Sequence, residues 1–262
     1  MTSTSDIPHI WWCPTGPLAF LPLHAAGVYF QPSGPKLSDF AVSSYIPSLS
    51  MVPKSASQKG IKQQLLTISL STESHHSGTA KEVELVASHA QKFPVLMLHE
   101  SEANRQSVLD AMKTSTWVHF ACDGVQSTSN PAENCLILGG HTKLTLSDIM
   151  KLHLENAELA FLSASETATG DLKLEDEAAH LAAGMLSAGF QSVIATMANI
   201  EDVIAVEVAD ETYRLLFTKY DGNSAHAAEA LHFAVKKVCE NRAVEGLKLP
   251  LSLWIPFVHI GI

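Results

Sequence analysis

Two stretches of this chain run from apolar residues into small polar residues and glycine: Trp117-Val-His-Phe-Ala-Cys-Asp-Gly124 and Leu159-Ala-Phe-Leu-Ser-Ala-Ser-Glu-Thr-Ala-Thr-Gly170. They hold residue types that exchange protons or attack carbonyls, namely His119, Cys122 and Asp123 in the first and Ser165 and Glu166 in the second. Nucleophilic chemistry needs such a pair, a nucleophile with a general base within hydrogen-bond reach. Metal chemistry is not encoded. The four cysteines, Cys13, Cys122, Cys135 and Cys239, form no CxxC pair, and the thirteen histidines make no HxxxH or HExxH spacing. Their one adjacent pair, His75-His76, lies in a polar Ser/Thr/Gly stretch that reads as loop. No metal and no cofactor is expected.

The elements that must position these residues follow from hydrophobic patterning. Short apolar runs at Ile10–Trp12, Phe40–Tyr45, Leu65–Leu70, Val95–Leu98, Trp117–Cys122, Leu159–Ala164, Ser192–Met197 and Leu253–Ile260 read as strands. Helices fall between them. Thr79-Ala-Lys-Glu82 has the form of a capping box opening a helix to about Lys92, and Ser101 can cap the next, to about Ser115. Further helices are expected from Ser147 to Leu152, from Asp176 to Ala188 with Gly189 closing it, from Asp202 to Phe217 and from Ser224 to Arg242. Cys135-Leu-Ile-Leu-Gly-Gly140 reads as a hairpin strand. Near-continuous apolar strands alternating with helices imply a mostly parallel sheet covered on both faces, with ligands bound beyond the strands' carboxyl ends. Gly124 and Gly170 then read as turn glycines that let backbone amides face that cleft.

Composition narrows the function classes. The chain has 262 residues, 46% hydrophobic and 17% charged, which suits a sizeable core and excludes wholesale disorder. A net charge of −10 repels phosphate backbones and anionic lipid, so neither nucleic acid nor membrane is an expected partner. The N-terminus lacks a basic and then apolar leader pattern, and the uncharged stretch from Ile7 to Gln31 is broken by Pro8, Pro14, Pro17 and Pro22. Scattered cysteines suit a reducing compartment, and a cytoplasmic protein is expected. No internal repeat is visible.

The two strand ends, together with Trp11-Trp-Cys-Pro-Thr-Gly-Pro-Leu-Ala-Phe-Leu-Pro-Leu-His-Ala-Ala-Gly27, Val42-Ser-Ser-Tyr-Ile-Pro-Ser-Leu49 and Asp176-Glu-Ala-Ala-His-Leu-Ala-Ala-Gly-Met-Leu186, resemble the CHAT domain, especially its fungal forms. That family is a caspase-like cysteine peptidase group often fused to tetratricopeptide repeats. The resemblance covers nearly the whole chain and implies an α/β fold: a caspase-like three-layer sandwich whose mostly parallel central sheet is flanked by helices. It assigns residues 1–9 to an N-terminal extension and 10–262 to one domain. In the family the first strand end reads His-Phe-Ala-Cys-His-Gly, its second histidine being the base, and the other reads Leu-Ser-Ala-Cys-x-Thr-Ala, its cysteine being the nucleophile. Here the histidine position is Asp123 and the cysteine position is Ser165.

Both departures oppose catalysis. A serine hydroxyl is far harder to deprotonate than a thiol, and a carboxylate with a reference pKa near ~3.9 is a weak base that cannot shuttle protons as imidazole does. His119 shares Asp123's strand parity but lies roughly 13 Å back along the strand and reads as a core histidine. Cys122 points to the opposite face, and Cys135 reads as buried. Where fungal relatives usually carry tryptophan after the strand ending at Met197, this chain has Ala198, which either alters a substrate pocket or packs locally. Glu166, Asp176 and their acidic neighbours could receive a basic peptide side chain, although solvated loop and helix N-terminal charge explain them as well. The resemblance also implies an oxyanion hole from the amides of Gly124 and Ser165, and these donors survive loss of the side chains.

The expectation is therefore a pseudo-peptidase that binds peptide or protein or acts as a regulatory module, with an ancestry in cysteine endopeptidases that some relatives use in programmed cell death or defence. Two alternatives stand beside it: an engineered or recently inactivated form of an active peptidase, and a serine hydrolase using Ser165. Three departures around one cleft point to drift more than to a single engineered trap.

Overall fold

The computed structural model describes residues 7–31, 34–48, 62–70, 77–125, 134–166, 178–197, 200–244, 251 and 254–262. Among these residues ten strands form one sheet: β1 His9–Trp12, β2 Val42–Tyr45, β3 Leu65–Ser69, β4 Val95–His99, β5 Trp117–Val125, β6 Cys135–Leu138, β7 Thr142–Thr145, β8 Leu159–Glu166, β9 Ser192–Thr196 and β10 Phe257–Gly261. Eight follow the order β1-β2-β10-β9-β8-β5-β3-β4, and the β6–β7 hairpin attaches to β5. The helices are α1 Ser77–His89, α2 Arg105–Met112, α3 Leu146–Met150, α4 Ala178–Ala188, α5 Asp202–Thr218 and α6 Ala227–Val244.

Alternation along each strand divides the core into two layers. Leu65, Trp117, Leu159, Phe161, Ile194 and Phe257 turn to one face and pack with residues of α1, α5 and α6. Leu66, Val118, Phe120, Leu162, Val193 and Ile260 turn to the other and pack with residues of α2, α3 and α4. Trp117 is wholly buried among Phe93, Tyr213 and Phe217, with ring centroids 5.2, 6.3 and 5.4 Å away. Both faces of the central strands are covered, which is why their sequences show no polar alternation.

The sheet is mixed, with parallel neighbours in the majority as expected. β4, β3, β5, β8 and β9 are parallel neighbours, but β10 runs antiparallel to β9, and β2 and β1 follow the direction of β10. The carboxyl ends of β5, β8 and β9 therefore gather where β10 and β2 begin. Sequence runs show where a strand lies but not which way it enters the sheet.

Several helix starts differ from the sequence reading. Helix α1 begins at Ser77, so Thr79 lies inside it and donates its hydroxyl to the Leu70 carbonyl at 2.8 Å, while Glu82 turns into the core. Asn104, not Ser101, caps α2, accepting from the amides of Gln106 and Ser107 at 3.1 Å each. Thr145 and Asp148 form a reciprocal capping box on α3. Asp202 is the first residue of α5 rather than its cap. Asn223 caps the 3-10 turn Ser224–His226 that leads into α6. At α2 and at the turn before α6 a neighbouring asparagine takes the cap, whereas Glu201 before α5 makes no side-chain cap bond.

Candidate active site

The site lies at the carboxyl ends of β5 and β8. These strands are registered over eight pairs, from Trp117↔Leu159 to Asp123↔Ser165 and Gly124↔Glu166. The positions expected for the base and the nucleophile thus sit side by side on one rung. Registered residues of a parallel pair share a face of the pleat, and the face of Asp123 is also that of His119 and Trp117. Asp123 is half-buried.

Gly124 departs from the turn expected of it. β3 stops at Ser69, opposite Ala121, and beyond it β6 takes the vacated place, pairing Gly124 with Leu136 and Val125 with Cys135. β5 therefore extends to Val125, and the Gly124 main chain lies between two strands. β8 is different on its far side: its last registered partner in β9 is Ala195, opposite Leu162. Among the described residues, the backbone from Ser163 to Glu166 has a strand on the β5 side only. Glu166 shares the rung of Gly124, whereas Asp176 and Ala198 lie outside the described residues, as does Gly170.

The other candidate groups are held away from chemistry. His119 is fully buried, its Nε2 3.0 Å from Glu82 Oε1 and its ring between Phe161 and Tyr213, at centroid distances of 4.9 and 5.4 Å. This carboxylate partner, 37 residues upstream, was not legible in the sequence. Cys122 is buried in the opposite core layer; burial first, then the Asp123 and Glu82 carboxylates and Cys135, push its thiol well above the usual range. Cys135 is also buried, and burial raises its thiol pKa. Neither supplies a thiolate at neutral pH.

Beside the rung, at the start of α1 and α5, lies a small cavity of about 20 Å³ lined by Thr79, Glu82, Ser163, Thr196 and Asp202 among others. It has room for about one water molecule. No group of three or more His, Cys, Asp or Glu residues placed to hold a metal ion occurs among the described residues, and no helix among them is long and apolar enough to cross a membrane.

Comparison with known proteins bears on the fold and the family. The crystal structure of the Arg-specific cysteine proteinase gingipain R matches with a TM-score of 0.55 and 12% identity, over 84% of this chain and 54% of that one. A complex of Porphyromonas gingivalis RgpB pro- and mature domains matches at 0.48 and 14%, over 77% of this chain and 47% of that one. The chain thus spans about half the length of these structures, and the first likeness shows a shared caspase-like fold. No curated protein sequence matches. The model of the CHAT domain family covers residues 2–262, and the chain belongs to the CHAT domain family.

Proposed function

We propose that this CHAT domain is a pseudo-peptidase, a peptidase fold without a working dyad that binds peptide or protein as a regulatory module. The observation that carries the reading is the Asp123↔Ser165 rung. Where family relatives carry a histidine and a cysteine, the sequence has Asp123 and Ser165 at registered backbone positions, and removing either partner of such a unit abolishes most of its catalysis. His119 cannot stand in, because it is fully buried and bound to Glu82.

Binding can outlast catalysis here. Among the described residues, the part of β8 beyond Leu162 has no registered partner in β9, which supports its main-chain groups receiving an extended peptide in the manner of strand addition. Of the two amides expected to hold a peptide carbonyl, that of Ser165 lies on this open length, while that of Gly124 lies between strands. Glu166, Asp176 and Ala198 remain the pocket positions of the proposal. The resemblance to fungal forms supports a cytoplasmic role beside tetratricopeptide repeats, in pathways related to programmed cell death.

The test is incubation of the purified protein with a peptide library, a serine-directed fluorophosphonate and a thiol-directed peptidyl acyloxymethyl ketone. No cleavage and no labelling of Ser165 are expected. Fluorophosphonate labelling that disappears in Ser165→Ala would make the protein a serine hydrolase and overturn the proposal.

A further inference from the structure

A second cavity lies away from the Asp123–Ser165 rung. It has a volume of about 420 Å³ and lies where β2 and β10 meet, with α6 across it. The two strands share a single registered pair, Ile260↔Tyr45, whereas β10 holds five pairs with β9 and β2 holds four with β1. Regular pairing stops at this rung, while the Ser44 hydroxyl one residue back still reaches His259 Nδ1 at 2.6 Å. Ala228, Leu231 and Val235 of α6 line the gap, and no residue of β5 or β8 does.

The aromatic wall of this cavity is fixed in advance. His24 Nε2 donates to the Ile255 carbonyl at 2.8 Å, so Nδ1 is the acceptor for the Tyr45 hydroxyl at 2.8 Å, and the Tyr45 oxygen in turn accepts the His24 amide at 3.1 Å. Every polar group of this trio has a partner, and burial lowers the His24 pKa, as the neutral tautomer requires. What Tyr45 offers the cavity is ring surface. Tyr29 and Trp254 extend that surface, their centroids 6.5 Å apart.

Two further features define an occupant. His232 lines the same space, and its Nε2, covered by protein, has no hydrogen-bond partner among the described residues; a turn of the ring toward the cavity would let an occupant's polar group pair that nitrogen. Burial and Lys236 push the His232 pKa down to about 4, so the ring is neutral at pH 7. The charged side chains around the cavity balance, Lys36 and Lys236 against Asp39 and Glu240, with Lys236 Nζ 3.9 Å from Asp39 Oδ1. Neither an anion nor a cation is favoured, and a charged ligand would lose hydration with no compensating field.

We propose that the β2–β10 cavity is a binding site for a small uncharged amphipathic molecule, an aromatic body against Tyr45 and Trp254 with one hydroxyl directed at His232. This site stands apart from the peptidase-like rung and does not depend on its being inactive.

The experiment measures binding of 3-phenylpropan-1-ol to the whole chain by ligand-observed NMR, against propylbenzene, 3-phenylpropanoate and 3-phenylpropylamine. Cys239, which lines the cavity, supplies a second readout through its rate of thiol modification in a Cys13→Ser background. The alcohol is expected to bind and to slow Cys239 modification. It should bind about five-fold or more tighter than either ion, and tighter than propylbenzene only while His232 is present, a preference lost in His232→Leu. Val235→Trp fills the cavity and should abolish binding, and Ala228→Leu fills it less drastically should the first variant not fold. Absence of binding, equal binding of an ion, or unchanged binding in a folded cavity-filling variant would overturn the proposal.

Discussion

Asp123 and Ser165 are registered partners on adjacent parallel strands, one rung before the pair Gly124↔Glu166. Neighbours on a rung lie about 4.8 Å apart along the hydrogen-bonding direction, within range of strong electrostatic coupling. A carboxylate in that place opposes ionisation of any thiol put at position 165, whereas an imidazolium favours it.

This coupling sets the first prediction. In Ser165→Cys alone, alkylation of the new thiol by iodoacetamide at pH 7 should be slow. Adding Asp123→His should raise the rate about ten-fold or more by lowering the thiol pKa. Equal rates in the two variants would show that the rung does not couple these positions. Peptide cleavage by the double variant would further show that the binding cleft has been retained.

The buried pair of His119 and Glu82 lies on the same face behind that rung. Glu82 is 3% exposed and His119 fully buried, so removing one member strands the other. Glu82→Leu and His119→Phe should each destabilise the fold by about 3 kcal/mol, and the double variant should recover at least ~1 kcal/mol of the sum, because an apolar pair leaves no uncompensated group. Urea denaturation of the four proteins checks this, and strict additivity would count against a coupled pair.

Acid should weaken the fold through histidines buried in neutral form. His259 Nδ1 lies 2.6 Å from Ser44 Oγ, and its Nε2 lies 2.7 Å from Ser192 Oγ, while His9 Nε2 stands 2.7 Å from the same Ser44 hydroxyl. Burial first, then the neighbouring His9, pushes the His259 pKa down from 6.5 to about 3. Above pH 6.5 the ring is neutral in both folded and unfolded chains, so its contribution is fully present. Between pH 6.5 and 3 only the unfolded chain takes up the proton, and stability falls at up to about 1.4 kcal/mol per pH unit. Unfolding free energies at pH 7, 6 and 5 should show roughly 2 kcal/mol lost at pH 5 through His259 alone, a slope that His259→Gln reduces.

Glycines separate backbone strain from crowding. Gly189 follows α4 at φ +124°, and a Cβ there would lie 1.9 Å from the Leu154 carbonyl oxygen. Gly140 has φ +65° and open space. Gly189→Ala should therefore cost at least ~2 kcal/mol and Gly140→Ala about 1 kcal/mol, read from thermal or urea melts. Equal costs would remove the steric part of the argument.

Much of the fold could be read from local pattern. The strand-forming runs at Trp117, Leu159 and Ser192 become β5, β8 and β9 because residues apolar on both sides of the pleat can be satisfied only between two helical layers. The closing glycine after α4 is Gly189, as its position after Ala188 requires. The motifs at the two strand ends also identified the family, and the proposed function takes positions 123 and 165 as those of its dyad.

Only the tertiary structure decided how those positions meet. The rung that joins Asp123 to Ser165 depends on the register of two strands 42 positions apart, set by packing of both faces rather than by either motif. The same holds for Gly124, drawn into the ladder because β6 replaces β3 beside it, and for Glu82, which a capping pattern assigned to a helix end but the core claims for His119. The β2–β10 cavity has no local signature at all. It lies where two strands distant in the chain share one registered rung under α6. Local preference and apolar periodicity specify elements over a few residues, whereas direction, register and the gaps between elements are properties of the packed whole.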